Sequence, residues 1–258
     1  MTAGEIAILS LFGLMVGSFL NVCISRIPAG ESVVSPRSRC PRCKTPIAGY
    51  DNIPVFSYLL LRGRCRKCGL AISALYPSVE VATALAFAGQ GLVVGDDLFL
   101  LGSRLVFTGL LIVLFGTDLQ TMRLPDVITL PGIALGLGFS LILPSGPGIV
   151  SSVIGAALGA ALPWIIRWAW FRATGVDGMG LGDVKMLAMI GAFLGWQQVW
   201  VVLFFASLCG AVVGVLFLSI RKRSLASRLP FGTFLAISAY FASLYGEPLM
   251  RWYLDLYQ

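Results

Sequence analysis

Eight apolar stretches, near 4–25, 77–95, 98–117, 126–143, 149–170, 184–196, 198–220 and 231–246, leave this 258-residue chain few ways to fold. Most approach the roughly 20 residues a helix needs to cross a bilayer. Hydrophobic residues make up 57% of the chain and charged ones 12%, where a soluble domain carries roughly 25% charge. In lipid the backbone must satisfy its own hydrogen bonds, so runs of this length predict helices. The expected fold is an all-α polytopic membrane protein with about eight transmembrane helices. A soluble pepsin-like architecture is excluded by composition. The first stretch lacks a basic leading region and is followed by GSFLNVCISRIP rather than a small-residue cleavage site, so it is expected to remain as an anchor. The sixth is short and flanked by glycine, which blurs its limits.

The net charge of +7 is a topology signal rather than a nucleic-acid one. With eight spans, seventeen of the nineteen Lys and Arg fall on one side of the membrane, and only Arg104 and Arg251 on the other. The positive-inside rule then places both termini outside and the 26–76 segment in the cytoplasm. The same charge also suits anionic headgroups.

Residues 26–76 are the only sizeable polar segment, and they hold four of the six cysteines. These stand as CPRC at Cys40 and Cys43 and CRKC at Cys65 and Cys68, with 21 residues between the pairs. The spacing is close to that of four-cysteine zinc ribbons, whose tetrahedral thiolate site replaces a core too small to hold alone. Lys44 and Gly69 after the pairs suit the tight turns of such knuckles. Two disulfides are the alternative, which a reducing cytoplasm disfavours. Four thiolates leave no open position, so the zinc is expected to be structural. Cys23 and Cys209 are expected to be small buried side chains in apolar spans. The predicted organisation is a first helix at 1–25, a zinc-binding domain at 26–76 and a seven-helix core at 77–258. Glycines such as those of GIALGLG and GAALGA are expected to serve close helix packing.

No histidine is present, and there is no HExxH motif. What remains is a pair of aspartates: Asp118 closes LLIVLFGTD, and Asp183 stands in GMGLGDVK before LAMIGAFLGW. Ionisable groups at or near membrane depth are costly, which makes them candidates for function. Two carboxyl groups that share one proton can perform aspartyl proteolysis: one takes a proton from water while the other polarises the scissile carbonyl. Gly178, Gly180 and Gly182 would let the backbone bend and a substrate strand approach. Helix capping is the plainer reading: it fits Asp126 after Pro125 well, Asp183 in part, and Asp118 poorly, since Asp118 ends a span.

Four stretches together resemble the type IV prepilin peptidases, a family of GxGD-type intramembrane aspartyl proteases. They are GSFLNVCISRIP at 17–28, SRCPRCKTPIAGYDNIPVFSYLLLRGRCRKC at 38–68, TDLQTMRLPDVITLP at 117–131 and GMGLGDVKMLAMIGAFLGW at 178–196, with YPSVE at 76–80 in family order. The resemblance implies that Asp118 and Asp183 are catalytic. It implies cleavage after a glycine that ends a short basic leader of prepilins or type II secretion pseudopilins, at the cytoplasmic face of the bacterial inner membrane. It also implies N-methylation of the new terminus with S-adenosylmethionine, although no glycine-rich βαβ pattern marks a methyl-donor site.

A basic leader would not dock on the nine cations of 26–67, which leaves Glu31, Asp51, Glu80, Asp126 and Asp177 as its candidate contacts. Glu80 is either a helix-start carboxylate or a contact for the new amine or methyl donor. Lys185 either acts on Asp183 or reaches the headgroups. Asn21 and Arg26 are accounted for by topology and packing. An ion-coupled transporter using the aspartate pair and a scaffold docking through its zinc domain are the competing functions. The sequence leaves open a homodimer and the choice of pilin.

Overall fold

The computed structural model describes residues 1–40, 42–221 and 229–256, with the backbone alone at 217–221. Among the described residues the chain is all α, with two isolated β-bridges as its only extended pairing. Helices occupy every expected stretch: α1 Ala3–Arg26, α3 Leu75–Val94, α4 Leu98–Thr121, α5 Asp126–Ile142, α6 Ile149–Thr174, α7 Leu181–Leu194, α8 Trp196–Arg221 and α9 Phe231–Asp255. A ninth, the one-turn α2 at Phe56–Leu60, interrupts the polar segment. Five are long and apolar enough to cross a membrane, namely α1, α3, α4, α6 and α8. α5 is apolar but has 17 residues and α7 only 14, while glycine, serine and tyrosine dilute the hydropathy of α9. The basic cluster Arg221–Arg228, assigned above to the cytoplasmic side, lies outside the described residues apart from the Arg221 backbone.

The chain divides into two compact units, Met1–Val113 and Leu114–Gln258. In the first, α1 lies against α3 through a small-residue face. A Cβ added at Gly13 would stand 2.7 Å from Ala84 Cα, and one at Gly17 2.8 Å from Glu80 Cα. Lipid tails are as apolar as leucine, so such close backbone approach is what holds membrane helices together. Leu9, Phe87 and Leu101 form the core beside it, and Asn21 Nδ2 donates to Tyr76 O at 2.9 Å, tying the end of α1 to the start of α3.

The second unit is built around α7. Among its residues from Asp183 to Leu194, all except Lys185 are buried, inside a sheath of α5, α6, α8 and α9. Fourteen residues rise only about 21 Å, less than the roughly 30 Å hydrocarbon core. This helix is stabilised by protein on all sides rather than by lipid. Glycine makes the enclosure feasible: a Cβ at Gly155 would run into Gly191 O, and one at Gly159 into Leu187 O. The packing role expected for these glycines holds.

Cys209 departs from expectation, because it is exposed. α8 is apolar around its whole circumference, and Cys209 sits on its outward face, which hydropathy cannot distinguish from the inward one. Cys23 is buried as expected.

Candidate aspartyl site and four-cysteine centre

Asp118 lies within α4, three residues before its end, since the helix continues past the apolar run to Thr121. Met122, at φ 52°, then breaks the helix. The carboxyl group of Asp118 is buried, at 5% exposure, and is met by the start of α9. The Thr233 amide donates to Asp118 Oδ2 at 2.9 Å. Gly232 presses so close that a Cβ there would stand 2.9 Å from the same oxygen. Amides of a helix's first turn favour an anionic partner; Pro230 caps this helix, and its carbonyl accepts from the same Thr233 amide at 3.3 Å.

Asp183 is in the first turn of α7, also buried, at 9% exposure. Its Oδ2 accepts from the Gly180 amide at 3.2 Å. Asp183 does not cap a helix that begins at Val184: the helix starts at Leu181 with Gly180 as its cap, and Asp183, in the first turn, reaches back to the Gly180 amide through this oxygen alone. The pair is assembled by Leu124. Its Cβ lies 2.8 Å from where a Gly182 side chain would begin, and its Cδ1 3.0 Å from the corresponding point of Gly232. A larger residue at either glycine would force the GxGD turn and the α9 terminus apart.

Lys185 is paired with an acidic residue of another helix. Its Nζ binds both oxygens of Asp126 at 2.7 Å, bracing the first turn of α5 against that of α7. Asp126 begins α5 but makes no side-chain cap bond; Lys185 has claimed its carboxylate. The other acidic candidates for leader docking are largely engaged as well. Asp51 binds Arg66 at 2.6 Å and Asp177 binds Arg167 at 2.7 Å, and the Arg66 guanidinium holds Asp51 below the usual carboxylate range. Glu31 stays exposed.

Glu80 is buried in α3, and its Oε2 accepts from the Val55 amide at 2.7 Å. It anchors a segment of the 26–76 loop. Glu80→Ala is expected to strand that amide at a cost of about 1–3 kcal/mol, seen as a lower unfolding temperature in detergent. Glu80→Gln keeps an acceptor and should lose far less.

The four cysteines converge as the spacing predicts. Their Sγ atoms all lie within 4.8 Å of one another, and Cys40 Sγ and Cys68 Sγ are 3.7 Å apart. A tetrahedral metal with thiolate bonds of about 2.3 Å would separate its sulfurs by about 3.8 Å, so the set fits such an ion. The two knuckles are alike. Cys40 N donates to Thr45 O and Lys44 N to Cys40 O; Cys65 N donates to Leu70 O and Gly69 N to Cys65 O. Lys44 and Gly69 take φ 55° and 68° at matching positions, the turns expected of them. Hydrogen bonds from Thr45 draw the Cys43 thiol down to about 6, towards the thiolate a metal requires.

Sequence reasoning missed Gly232, Thr233 and Leu124. The available signal was PFGT at 230–233, a proline and glycine at the start of the last apolar stretch. No described residues form the strand–glycine loop–helix cradle common for methyl donors, so no methyl-donor contacts are assigned.

A multi-pass helical membrane protein that carries a buried aspartate pair is the class this fold and site define. The chain matches the profile described as Bacterial Peptidase A24 N-terminal domain over residues 11–93 and that of the Type IV leader peptidase family over residues 105–215. It is similar to the prepilin leader peptidase/N-methyltransferase of Aeromonas salmonicida, 40% identical over 273 residues that cover 95% of this chain and 92% of the relative. The same-named protein of Pseudomonas aeruginosa is 37% identical with the same coverage. That of Myxococcus xanthus is 43% identical over 84% of this chain and 64% of its own. No solved structure matches the chain with comparable significance. The chain belongs to the type IV prepilin leader peptidase family.

Proposed function

We propose that this protein is the aspartic endopeptidase that removes the leader peptide from type IV prepilins, with Asp118 and Asp183 as its catalytic residues. The observation that carries the reading is their convergence. Two buried carboxyl groups, 65 positions apart in sequence, are brought to one junction, where Gly182 beside Asp183 and Gly232 against Asp118 both pack on Leu124, each carboxyl with one oxygen held by a backbone amide. One carboxylate takes a proton from water, and the other, protonated, polarises the scissile carbonyl. The pair titrates as a unit, so the rate should follow a bell-shaped pH profile whose limbs belong to both residues. Holding Asp118 Oδ2 and Asp183 Oδ2 on amides fixes each carboxyl plane and leaves the opposite oxygens for chemistry.

The relatives' name carries N-methyltransferase activity as well, and we extend it to this chain: the amine freed by cleavage is methylated, with S-adenosylmethionine as the expected donor. Pseudopilins of type II secretion are expected substrates beside prepilins. The charge distribution supports eight traverses, with the aspartates and the 26–76 segment facing the cytoplasm of the inner membrane. Cys40, Cys43, Cys65 and Cys68 would hold a structural zinc, whose contribution is to fold the two knuckles. Cys43→Ser is expected to remove about one zinc per chain in metal analysis and to expose the 26–76 segment to limited proteolysis.

The test is co-expression with a matched prepilin, followed by intact mass and N-terminal peptide analysis. Loss of the leader supports the peptidase, and an added methyl on the new terminus supports the second activity. A prepilin left intact by well-folded protein would overturn the reading and bring forward ion transport through the aspartate pair.

A further inference from the structure

We propose that residues 50–67 form a foot that docks on an anionic membrane surface, beside the ends of α1 and α3. Over eleven positions this segment presents Tyr50, Ile53, Phe56, Leu59 and Leu60 outward, with Tyr50 68%, Phe56 59%, Leu59 67% and Leu60 66% exposed. A soluble loop rarely leaves so many large apolar side chains uncovered together.

The exposure is built in. Ser57 and Tyr58 are turned inward: Ser57 is buried, donates to Tyr50 O at 2.9 Å and accepts from Ile53 N at 3.2 Å. Tyr58 Oη donates to Ile72 O at 3.3 Å. Val55, in the left-handed region at φ 58°, directs its amide onto Glu80 at 2.7 Å. A β-branched residue rarely adopts that conformation, and here it fixes which side of the segment faces out.

Two further observations select lipid as the occupant. Glu80 stands five residues inside α3, a helix long and apolar enough to cross the membrane, so the Val55 contact holds the segment at one end of that span. Asn21, near the end of the α1 span, bonds Tyr76 one turn nearer the start of α3. The segment's charge is also one-sided. Arg62, Arg64 and Lys67 are exposed and make no ion pair among the described residues, while the one acid between 50 and 75, Asp51, is taken by Arg66. Apolar side chains flanked by free cations at membrane level form an interfacial anchor for acidic headgroups. The foot would fix the four-cysteine centre at the membrane surface, independently of which reaction the aspartates perform.

The experiment places the photoreactive residue p-benzoylphenylalanine at Phe56 or Leu60 of the full chain. The protein is reconstituted in phosphatidylcholine vesicles with or without phosphatidylglycerol. Val34, 85% exposed in the same polar segment, is the reference position. Lipid adducts at Phe56 and Leu60 but not at Val34 are expected. Their yield should fall severalfold without phosphatidylglycerol, and likewise in the Arg62→Ala, Arg64→Ala, Lys67→Ala triple variant. Adducts with a second copy of the chain or with a prepilin would overturn the proposal in favour of a protein-docking face. Absence of adducts, equal labelling at Val34, or indifference to phosphatidylglycerol would each overturn it too.

Discussion

Asp118→Asn and Asp183→Asn are each expected to leave a co-expressed prepilin with its leader attached, with turnover reduced by about 10²–10⁴-fold or more. Asparagine preserves the shape of each side chain and can still accept from the amides of Thr233 and Gly180. The fold should survive, and a normal elution profile and melting temperature would show that it has. The double variant should be little worse than either single one, because a proton-sharing dyad acts as one unit. A variant that still cuts at near wild-type rate would remove that aspartate from the chemistry. An asparagine variant that loses ion-coupled uptake while leaving pilin termini unchanged would favour the transporter.

Gly232→Ala is the second large effect, and it alters neither aspartate's own side chain. The new Cβ would stand 2.9 Å from Asp118 Oδ2 and 3.0 Å from Leu124 Cδ1, too close to the carboxylate oxygen for it to stay where it is. Either the carboxyl group rotates off the Thr233 amide or the α9 terminus retreats from Leu124. In both cases the two carboxyls lose their mutual placement, and an ångström of misplacement costs up to roughly 10²-fold in rate. The loss should fall on kcat rather than KM, and it should distort the pH profile, which a general loss of stability would not do. Thr233→Ser keeps the amide and the hydroxyl that bonds Pro230 O at 2.7 Å, and should keep the activity. Equal kinetics for Gly232→Ala and wild type would show that the α9 terminus does not position Asp118.

The parts of this protein that were legible in the sequence are those encoded locally. Apolar runs located every long helix, because hydropathy is a sum over neighbouring residues. CxxC spacing located the thiol centre, because each knuckle closes within a few residues, with Lys44 and Gly69 at the turns. The GxGD and D-x(7)-D stretches pointed to Asp118 and Asp183, but not to what holds them.

Lys185 binds Asp126 from 59 positions away, Glu80 takes an amide 25 positions away, and Thr233 reaches Asp118 across 115. No local pattern contains such pairings. They follow from which small-residue faces let helices approach, and in lipid those faces carry no contrast in hydropathy with the surfaces left outside. Cys209 shows the same blindness, since its helix looks alike on every side. The sequence by itself determined a helical membrane chain with a thiol centre and two misplaced-looking carboxyls. Only tertiary packing, through Gly155 against Gly191 and Leu124 between Gly182 and Gly232, decided that the turn before Asp183 and the α9 terminus that holds Asp118 share one junction.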